Sequence, residues 1–165
     1  MIGPRSLVDL PWRLAYRAAY QLLRLWWRVR RPAVTGANVA LWRDGRVLVV
    51  RTSYRGDLLD LPGGGVERGE EPADAAAREL AEEVGLEVPA AALERVASYR
   101  LRADGRRITD HVFEPREGVA PTGEATVDGR EIVWAGWMTP DELAGRRKSG
   151  ALRRYLGGRR APPAG

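Results

Sequence analysis

Apolar positions in the middle of the chain alternate or run continuously in short stretches, a pattern typical of β-strands. Two turn sequences punctuate these stretches, Arg43-Asp44-Gly45 and Asp104-Gly105, and each favours a β-hairpin between the strands that flank it. The predicted strands cover residues 34–42, 46–51, 92–101, 107–113 and 131–138. The chain therefore combines two hairpins with a later strand.

Other segments have helical spacing. Residues 72–84 begin with Pro72, which suits a first helical turn, and are followed by Gly85, which suits a helix end. A short helix is predicted after Thr139, whose side chain can cap it. The chain thus combines predicted strands with predicted helices.

The first segment, residues 5–31, is predicted to form one amphipathic helix with Pro11 near its start. Arginines interrupt its apolar residues too often for a bilayer span, and no cleavage site typical of a signal peptide follows. Three partners fit its apolar face: the rest of the chain, a second copy in a homodimer, and an anionic membrane surface contacted peripherally. The stripe of polar residues consists of Arg13, Arg17, Gln21, Arg24, Arg28 and Arg31.

The amino-acid composition excludes several kinds of metal and redox site. The 165 residues suffice for one domain with short extensions, and the absence of cysteine excludes disulfides and thiolate metal ligands. This absence is in keeping with a cytoplasmic location. His111 is the single histidine and is interpreted as a structural residue, so any metal must be held by oxygen ligands.

Charge is segregated along the chain. Residues 1–35 contain seven arginines and one aspartate, and residues 145–165 contain seven basic residues and no acidic one. Residues 36–144 hold the remaining 13 basic and 21 acidic residues, a net charge of −8. The pI of about 10.2 thus reflects the two ends, and nucleic-acid binding is a secondary hypothesis that rests on them.

Three glutamates form the most informative cluster. Glu79, Glu82 and Glu83 fall within about 100° of arc on the helix, beside an apolar face. Carboxylates at this spacing repel one another, so a positive partner is expected. Arg78 can supply part of that charge, and a hard divalent cation such as Mg²⁺ suits the remainder because it shares its ligand shell with phosphate oxygens.

Glycines precede this helix. Gly63, Gly64 and Gly65 permit backbone conformations closed to other residues and allow a main-chain carbonyl to approach a metal closely. Acidic residues already occupy the helix start, so a phosphate is expected to reach this site through a metal rather than through bare amides.

Together these residues resemble the Nudix box, Gly-x5-Glu-x7-Arg-Glu-U-x-Glu-Glu-x-Gly-U, in which U is a bulky aliphatic residue. The resemblance implies an α/β/α sandwich with a mixed β-sheet, covering about residues 34–146. It also implies a Mg²⁺-dependent hydrolase, with Mn²⁺ as an alternative metal, that cleaves the diphosphate linkage of a nucleoside diphosphate joined to another group. The matching residues are Gly64, Glu70, Arg78, Glu79, Leu80, Glu82, Glu83, Gly85 and Leu86.

The resemblance also implies roles. Glu82 and Glu83 would be the main metal ligands, and Glu79 would be a ligand or the base that activates water. Arg78 would orient Glu79, Glu70 would pair with Arg78 or support the metal shell, and Gly63 would offer its carbonyl. A further acidic ligand is expected from Glu114, Glu117 or Glu131, with Glu131 ranked first.

The candidate substrate-binding residues are Trp42, Arg51 and Tyr54, while Trp134 and Trp137 could also stack on a base.

Three segments follow from these predictions: an N-terminal helix at residues 1–33, a hydrolase domain at 34–146, and a basic helix and disordered tail at 147–165. The expected substrate is a small nucleotide. Two alternatives stay open. The protein could remove pyrophosphate from the 5′ end of RNA, as the basic ends suggest, or it could be an inactive Nudix fold that only binds nucleotides.

Overall fold

The computed structural model describes residues 10–30, 33–103, 106–127 and 129–159. Seven strands and four helices form this part of the chain. The helices are α1 (Leu10–Arg30), α2 (Pro72–Val84), α3 (Pro140–Leu143) and α4 (Gly150–Gly158). The strands are β1 (Ala33–Val39), β2 (Trp42–Arg43), β3 (Arg46–Thr52), β4 (Gly63–Gly65), β5 (Leu93–Ala103), β6 (Arg106–Pro115) and β7 (Ile132–Met138).

The strands form two sheets, with orders β4-β1-β6-β5 and β2-β3-β7. In the first sheet β1 and β6 run parallel, whereas β1 with β4 and β5 with β6 are antiparallel. In the second sheet both pairings are antiparallel. The predicted mixed sheet is therefore confirmed.

Helices cover the strands from two sides. One core cluster includes Leu48 and Val50 of β3 together with buried residues of α2. The other includes Val47 and Val49 of β3 with residues of α3 and α4. Because successive side chains of a strand point to opposite faces, β3 must be apolar on both, which explains its continuous hydrophobic run. This is the α/β/α arrangement that the sequence predicted.

Helix α2 has the predicted bounds. Ala75, Ala76, Leu80 and Val84 form its buried face. Gly85 ends the helix in the left-handed conformation, with φ of 67°, and its N–H donates to the carbonyl of Ala81. A Cβ at Gly85 would lie 2.7 Å from Thr126 Oγ1, so both space and backbone conformation require glycine there.

The single strand predicted at residues 34–42 is wrong, because the chain changes sheets within it. Ala40 N–H donates to the carbonyl of Phe113 in the first sheet, and Leu41 accepts from Leu48 N–H in the second. β1 therefore ends at Val39, and the two-residue β2 forms the hairpin with β3. Both sheets bury this segment, so its apolar run continues across the break. The hairpin turn is as predicted, with positive φ at Asp44 and Gly45.

The glycine segment forms strand β4. Gly63, Gly64 and Gly65 pair with Asn38, Ala37 and Gly36 of β1. A Cβ at Gly63 would lie 2.3 Å from the carbonyl oxygen of Ala37, closer than side-chain carbons approach. The glycines thus let this short strand lie tightly against β1.

Helix α1 contacts the domain at its first and middle turns, where Trp12 lies beside Arg130 and Tyr20 beside Tyr54. Leu14 and Leu22 are 57% and 70% exposed. Residues 5–9, Arg31 and the tail 160–165 lie outside the described residues, as do the side chains of Arg13, Arg17, Arg24 and Arg28. Within the described chain no helix is long and apolar enough to cross a membrane.

Candidate active site

A cleft of about 1140 Å³ lies beside the N-terminal part of β4 and the acidic face of α2. It brings together most of the predicted site residues. Those lining it are Gly63, Glu79, Glu82, Glu83, Tyr54 and Glu131.

Arg78 organises the acidic face of α2 from one side. Its Nε donates to Glu70 Oε1 at 2.9 Å, and its Nη1 donates to Glu79 Oε1 at 2.9 Å and to Glu82 Oε2 at 3.3 Å. Its Nη2 reaches the carbonyl of Gly65 at 3.2 Å. The bond from Arg78 lowers the pKa of Glu70. The ion pair between Arg78 and Glu79 that the resemblance implied is thus present.

Glu83 points into the cleft from the next turn of α2. The N–H of Gly63 donates to its Oε2 at 2.9 Å, which ties the helix to strand β4. Burial raises the pKa of Glu83 well above its ordinary value, and the nearby charges of Glu79 and Glu131 raise it further. Carboxylates placed this close together disfavour one another's ionised form.

Glu79 packs directly over a glycine. A Cβ at Gly64 would lie 2.5 Å from its carboxylate, whereas a Cβ at Gly65 would meet nothing within 4 Å. Burial raises the pKa of Glu79, and its bond from Arg78 opposes that rise. Gly64 therefore provides the space in which Glu79 approaches the cleft.

The donor set fits a hard divalent cation. In the described part of the chain no three carboxylates are close enough together to enclose an ion. Arg78 holds Glu79 and Glu82, while the Gly63 N–H holds Glu83. The oxygen donors and the mutual repulsion of the buried carboxylates nonetheless match what Mg²⁺ or Mn²⁺ requires, and a bound cation would relieve that repulsion.

Glu131 enters the cleft just before β7. The hydroxyl of Tyr54 donates to its Oε1 at 3.0 Å. Burial and the charge of Glu131 raise the pKa of Tyr54, so the phenol keeps its proton. Of the three later acids, Glu114 instead accepts from Arg159 at 2.7 Å outside this cleft, and Glu117 is exposed on the surface.

Two candidate substrate-binding residues lie away from the cleft. Arg51 projects to the side of β3 opposite from Val50 and Thr52, which line the cleft, and its guanidinium lies 5.9 Å from the ring of Trp134. Trp42 lines a separate depression of about 320 Å³, where its Nε1 donates to the hydroxyl of Tyr155 at 2.7 Å. Arg51 lies away from the cleft because it is on the other face of β3. Trp42 does so because the chain has changed sheets at Ala40 before reaching it.

The other aromatic and histidine candidates have local partners. Trp137 lies 4.7 Å from the guanidinium of Arg43. His111 Nδ1 lies 2.8 Å from Ser98 Oγ on the neighbouring strand, as a structural residue would.

Sequence reasoning missed a partly buried ion pair at the cleft. Asp60 is half of it: Arg55 donates to its Oδ2 at 3.2 Å, and Leu61 N–H and Ser149 Oγ donate to its Oδ1. Burial raises the pKa of Asp60, while Arg55 opposes that rise. Arg55 in turn donates to Tyr20 of α1 at 3.2 Å. These partners lie up to 89 positions apart, so no local pattern indicates them.

Sequence reasoning also missed a group of arginines at the cleft. The charge pattern had assigned most of them to a basic end outside the predicted domain. They are Arg102 of β5, Arg147, and Arg153 and Arg154 of α4. The cleft is therefore acidic along α2 and basic beside α4.

Comparisons with known proteins agree with this geometry. A family model described as the NUDIX domain matches residues 32–156. A MutT-like protein of Streptomyces ambofaciens is 33% identical over 114 residues, covering 69% of this chain and 68% of the relative. The CTP pyrophosphohydrolase of Escherichia coli strain K12 is 33% identical over 103 residues, covering 61% of this chain and 71% of the relative.

A solved structure has the same fold. It is the crystal structure of a MutT NUDIX hydrolase from Burkholderia pseudomallei, with a TM-score of 0.67 and 25% identity. The match covers 76% of this chain and 96% of that one.

Proposed function

The chain belongs to the Nudix hydrolase family and is a pyrophosphohydrolase, and we propose that it cleaves the diphosphate linkage of a nucleoside diphosphate joined to another group, with Mg²⁺ as cofactor. The observation that carries this proposal is the pair of partly buried carboxylates, Glu79 and Glu83, that face one cleft with Glu131. Burial raises the pKa of both, and the charge of Glu131 raises both further. Such a site is costly without a cation and suited to one.

Glu82, Glu83 and Glu131 are the proposed metal-holding residues, with support from the carbonyl of Gly63. When bound, the divalent cation neutralises the diphosphate oxygens and lowers the pKa of a coordinated water. Mn²⁺ suits the same oxygen donors. Glu70 acts indirectly, because it holds Arg78 on its far side.

Glu79 either shares in holding the metal or takes the proton from the attacking water. Arg78 fixes its carboxylate from one side and Gly64 leaves it room on the other. A base gains from a pKa raised toward the working pH, and burial raises that of Glu79. The chain thus supplies a carboxylate whose position is fixed before the substrate arrives.

Substrate is proposed to enter along the cleft from α2 toward α4. Its diphosphate would lie beside the glutamates, and its remaining anionic groups would face Arg102, Arg153 and Arg154. Arg154 also donates to the carbonyl of Arg100, and Arg147 is paired with Asp57, so Arg102 and Arg153 are the residues proposed to meet substrate. A nucleoside triphosphate fits, since it is a nucleoside diphosphate joined to phosphate, and similarity to a CTP pyrophosphohydrolase supports this class.

A substrate panel tests the proposal. Nucleoside triphosphates, nucleotide sugars and dinucleoside polyphosphates are incubated with Mg²⁺ or Mn²⁺, and the products are separated by chromatography. We expect metal-dependent cleavage at the diphosphate that Glu83→Gln lowers by about 100-fold or more. Glu87→Gln, an exposed glutamate outside the cleft, is the matched control and should match the wild type.

Two results would contradict the proposal. One is cleavage that persists without metal or in Glu83→Gln. The other is nucleotide binding with no product from any substrate, which the alternative of an inactive nucleotide-binding Nudix fold predicts.

Removal of pyrophosphate from RNA 5′ ends is the second candidate, favoured by the arginines along the cleft. RNA bound there would lose affinity steeply as the salt concentration rises. If RNA is the substrate, Arg153→Gln lowers cleavage of 5′-triphosphorylated RNA far more than that of a free nucleoside triphosphate. Equal losses on both would favour the nucleotide.

A further inference from the structure

Among the side chains of helix α1 that the structure describes, that of Tyr20 reaches the cleft. Tyr20, at the middle of the helix, lines the same cleft as Glu79 and Glu83. Its ring lies 4.6 Å from the ring of Tyr54, centroid to centroid, with the planes tilted by 38°. A residue from a helix outside the family motif is thus built into the wall of the site.

Tyr20 contacts two consecutive residues that each hold a carboxylate of the cleft. Tyr54 donates through its hydroxyl to Glu131 at 3.0 Å. Arg55 donates to the Tyr20 hydroxyl at 3.2 Å and pairs with the partly buried Asp60 at 3.2 Å. Tyr20 therefore contacts both residues that connect to these carboxylates.

A second contact fixes the helix near the same place. Trp12, two turns before Tyr20, lies 5.5 Å from the guanidinium of Arg130, the residue next to Glu131. Eight helical residues span about 12 Å. Helix α1 thus contacts both segments, at Tyr54 and at Arg130, that converge on Glu131.

We propose that Tyr20 is a positioning residue of the active site: it holds the Tyr54 ring so that the Tyr54 hydroxyl fixes the carboxylate of Glu131. The role follows from direct contacts, since Tyr54 is partly buried and the geometry of its hydroxyl depends on what packs against its ring. Displacing a carboxylate by about 1 Å can cost a reaction about 100-fold. This inference rests on the proposed function, because it assigns Glu131 a part in the reaction.

The test compares variants on the best substrate found for the wild type. Tyr20→Ala is expected to lower kcat by about 10- to 100-fold with KM nearly unchanged, because Tyr20 acts through Glu131. Tyr20→Phe keeps the ring against Tyr54 and should restore most of the lost rate. Leu22→Ala, at a 70% exposed position of the same helix, is the matched control and should behave as the wild type.

A double-mutant cycle separates positioning from general structural support. Tyr54→Phe keeps the ring but removes the hydroxyl that contacts Glu131. If Tyr20 acts through that hydroxyl, Tyr20→Ala adds little to the loss already seen in Tyr54→Phe. If Tyr20→Ala lowers the thermal midpoint of the whole protein, Tyr20→Leu takes its place, because leucine keeps apolar volume without a flat ring. Tyr20→Leu is then expected to lower kcat in the same way.

Three results would overturn the inference. Tyr20→Ala could have the same kcat as Leu22→Ala, or it could raise KM and leave kcat unchanged. In the double variant, the fold-losses of Tyr20→Ala and Tyr54→Phe could multiply, as they do for independent residues. These results are distinct from failure of the proposed function. In that case the wild type itself shows no metal-dependent cleavage of any diphosphate.

Discussion

The backbone N–H of Gly63 donates to Glu83 Oε2 at 2.9 Å, and this bond joins strand β4 to the acidic face of α2. It is the contact through which the glycine segment and the glutamate helix, 20 positions apart, become one site. A single N–H only partly compensates the carboxylate, because burial and the charges of Glu79 and Glu131 still raise its pKa.

The raised pKa of Glu83 predicts that metal-free protein is stabilised by Glu83→Gln. A group whose pKa is higher in the folded state than in the unfolded chain favours folding while protonated, and this stability is lost as the pH rises through the folded-state pKa. Above the unfolded-state pKa, folding therefore requires Glu83 either to take up a proton or to carry a partly buried charge, and glutamine removes that cost.

Thermal unfolding in chelator measures this effect. At about pH 7 the midpoint of Glu83→Gln should exceed that of the wild type, by about 3 °C for each kcal/mol of repulsion removed, and the gap should close near pH 4. Added Mg²⁺ should raise the wild-type midpoint and leave Glu83→Gln nearly unchanged. A wild-type protein more stable than the variant throughout would contradict this account.

Arg78→Lys is expected to lower kcat by about 10- to 100-fold while the fold is retained. Lysine keeps the charge but cannot bond Glu70, Glu79 and the Gly65 carbonyl at once, as the guanidinium does. Steady-state kinetics and circular dichroism provide the measurements. Arg46→Lys, which changes the exposed ion pair with Glu142, is the control and should leave kcat unaltered.

Adjacent glycines give a sharp steric test. Gly64→Ala places a methyl group 2.5 Å from the Glu79 carboxylate and should reduce kcat by about 100-fold, because Glu79 must move. Gly65→Ala meets nothing within 4 Å and should be tolerated. Comparable activity in the two variants would show that the position of Glu79 is unimportant.

Peripheral membrane contact through residues 5–31 stays a prediction of the sequence. The contacts of Trp12 and Tyr20 leave Leu14 and Leu22 exposed on α1. If this face binds an anionic bilayer, full-length protein floats with anionic vesicles and a chain lacking residues 1–33 does not. If the two proteins behave alike in flotation, such contact is excluded. If the full-length protein has a dimer's mass that depends on concentration, and the shortened chain has a monomer's mass, the helix forms a homodimer instead.

Local patterns predicted much of the fold. Helix α2 begins and ends where Pro72 and Gly85 indicated, and both hairpin pairings are present. The strand at residues 34–42 could not be divided correctly from the sequence, because Ala40 and Leu41 are buried on both sides of the break and carry no polar signal there.

The residues of the site also fall into two groups, those that the sequence indicated and those that only the structure shows. The sequence by itself determined the acidic face of α2 with Arg78 beside it, because residues three or four positions apart share a face of a helix, and it placed the glycines ahead of that helix. Only the tertiary structure decided that Glu131 joins them while Glu114 does not, that Tyr54 lines the cleft while Trp42 and Arg51 lie elsewhere, and that Tyr20 and Arg153 enter it. Such contacts join residues far apart in the chain, so they depend on how sheets and helices pack and leave no periodic trace in the sequence.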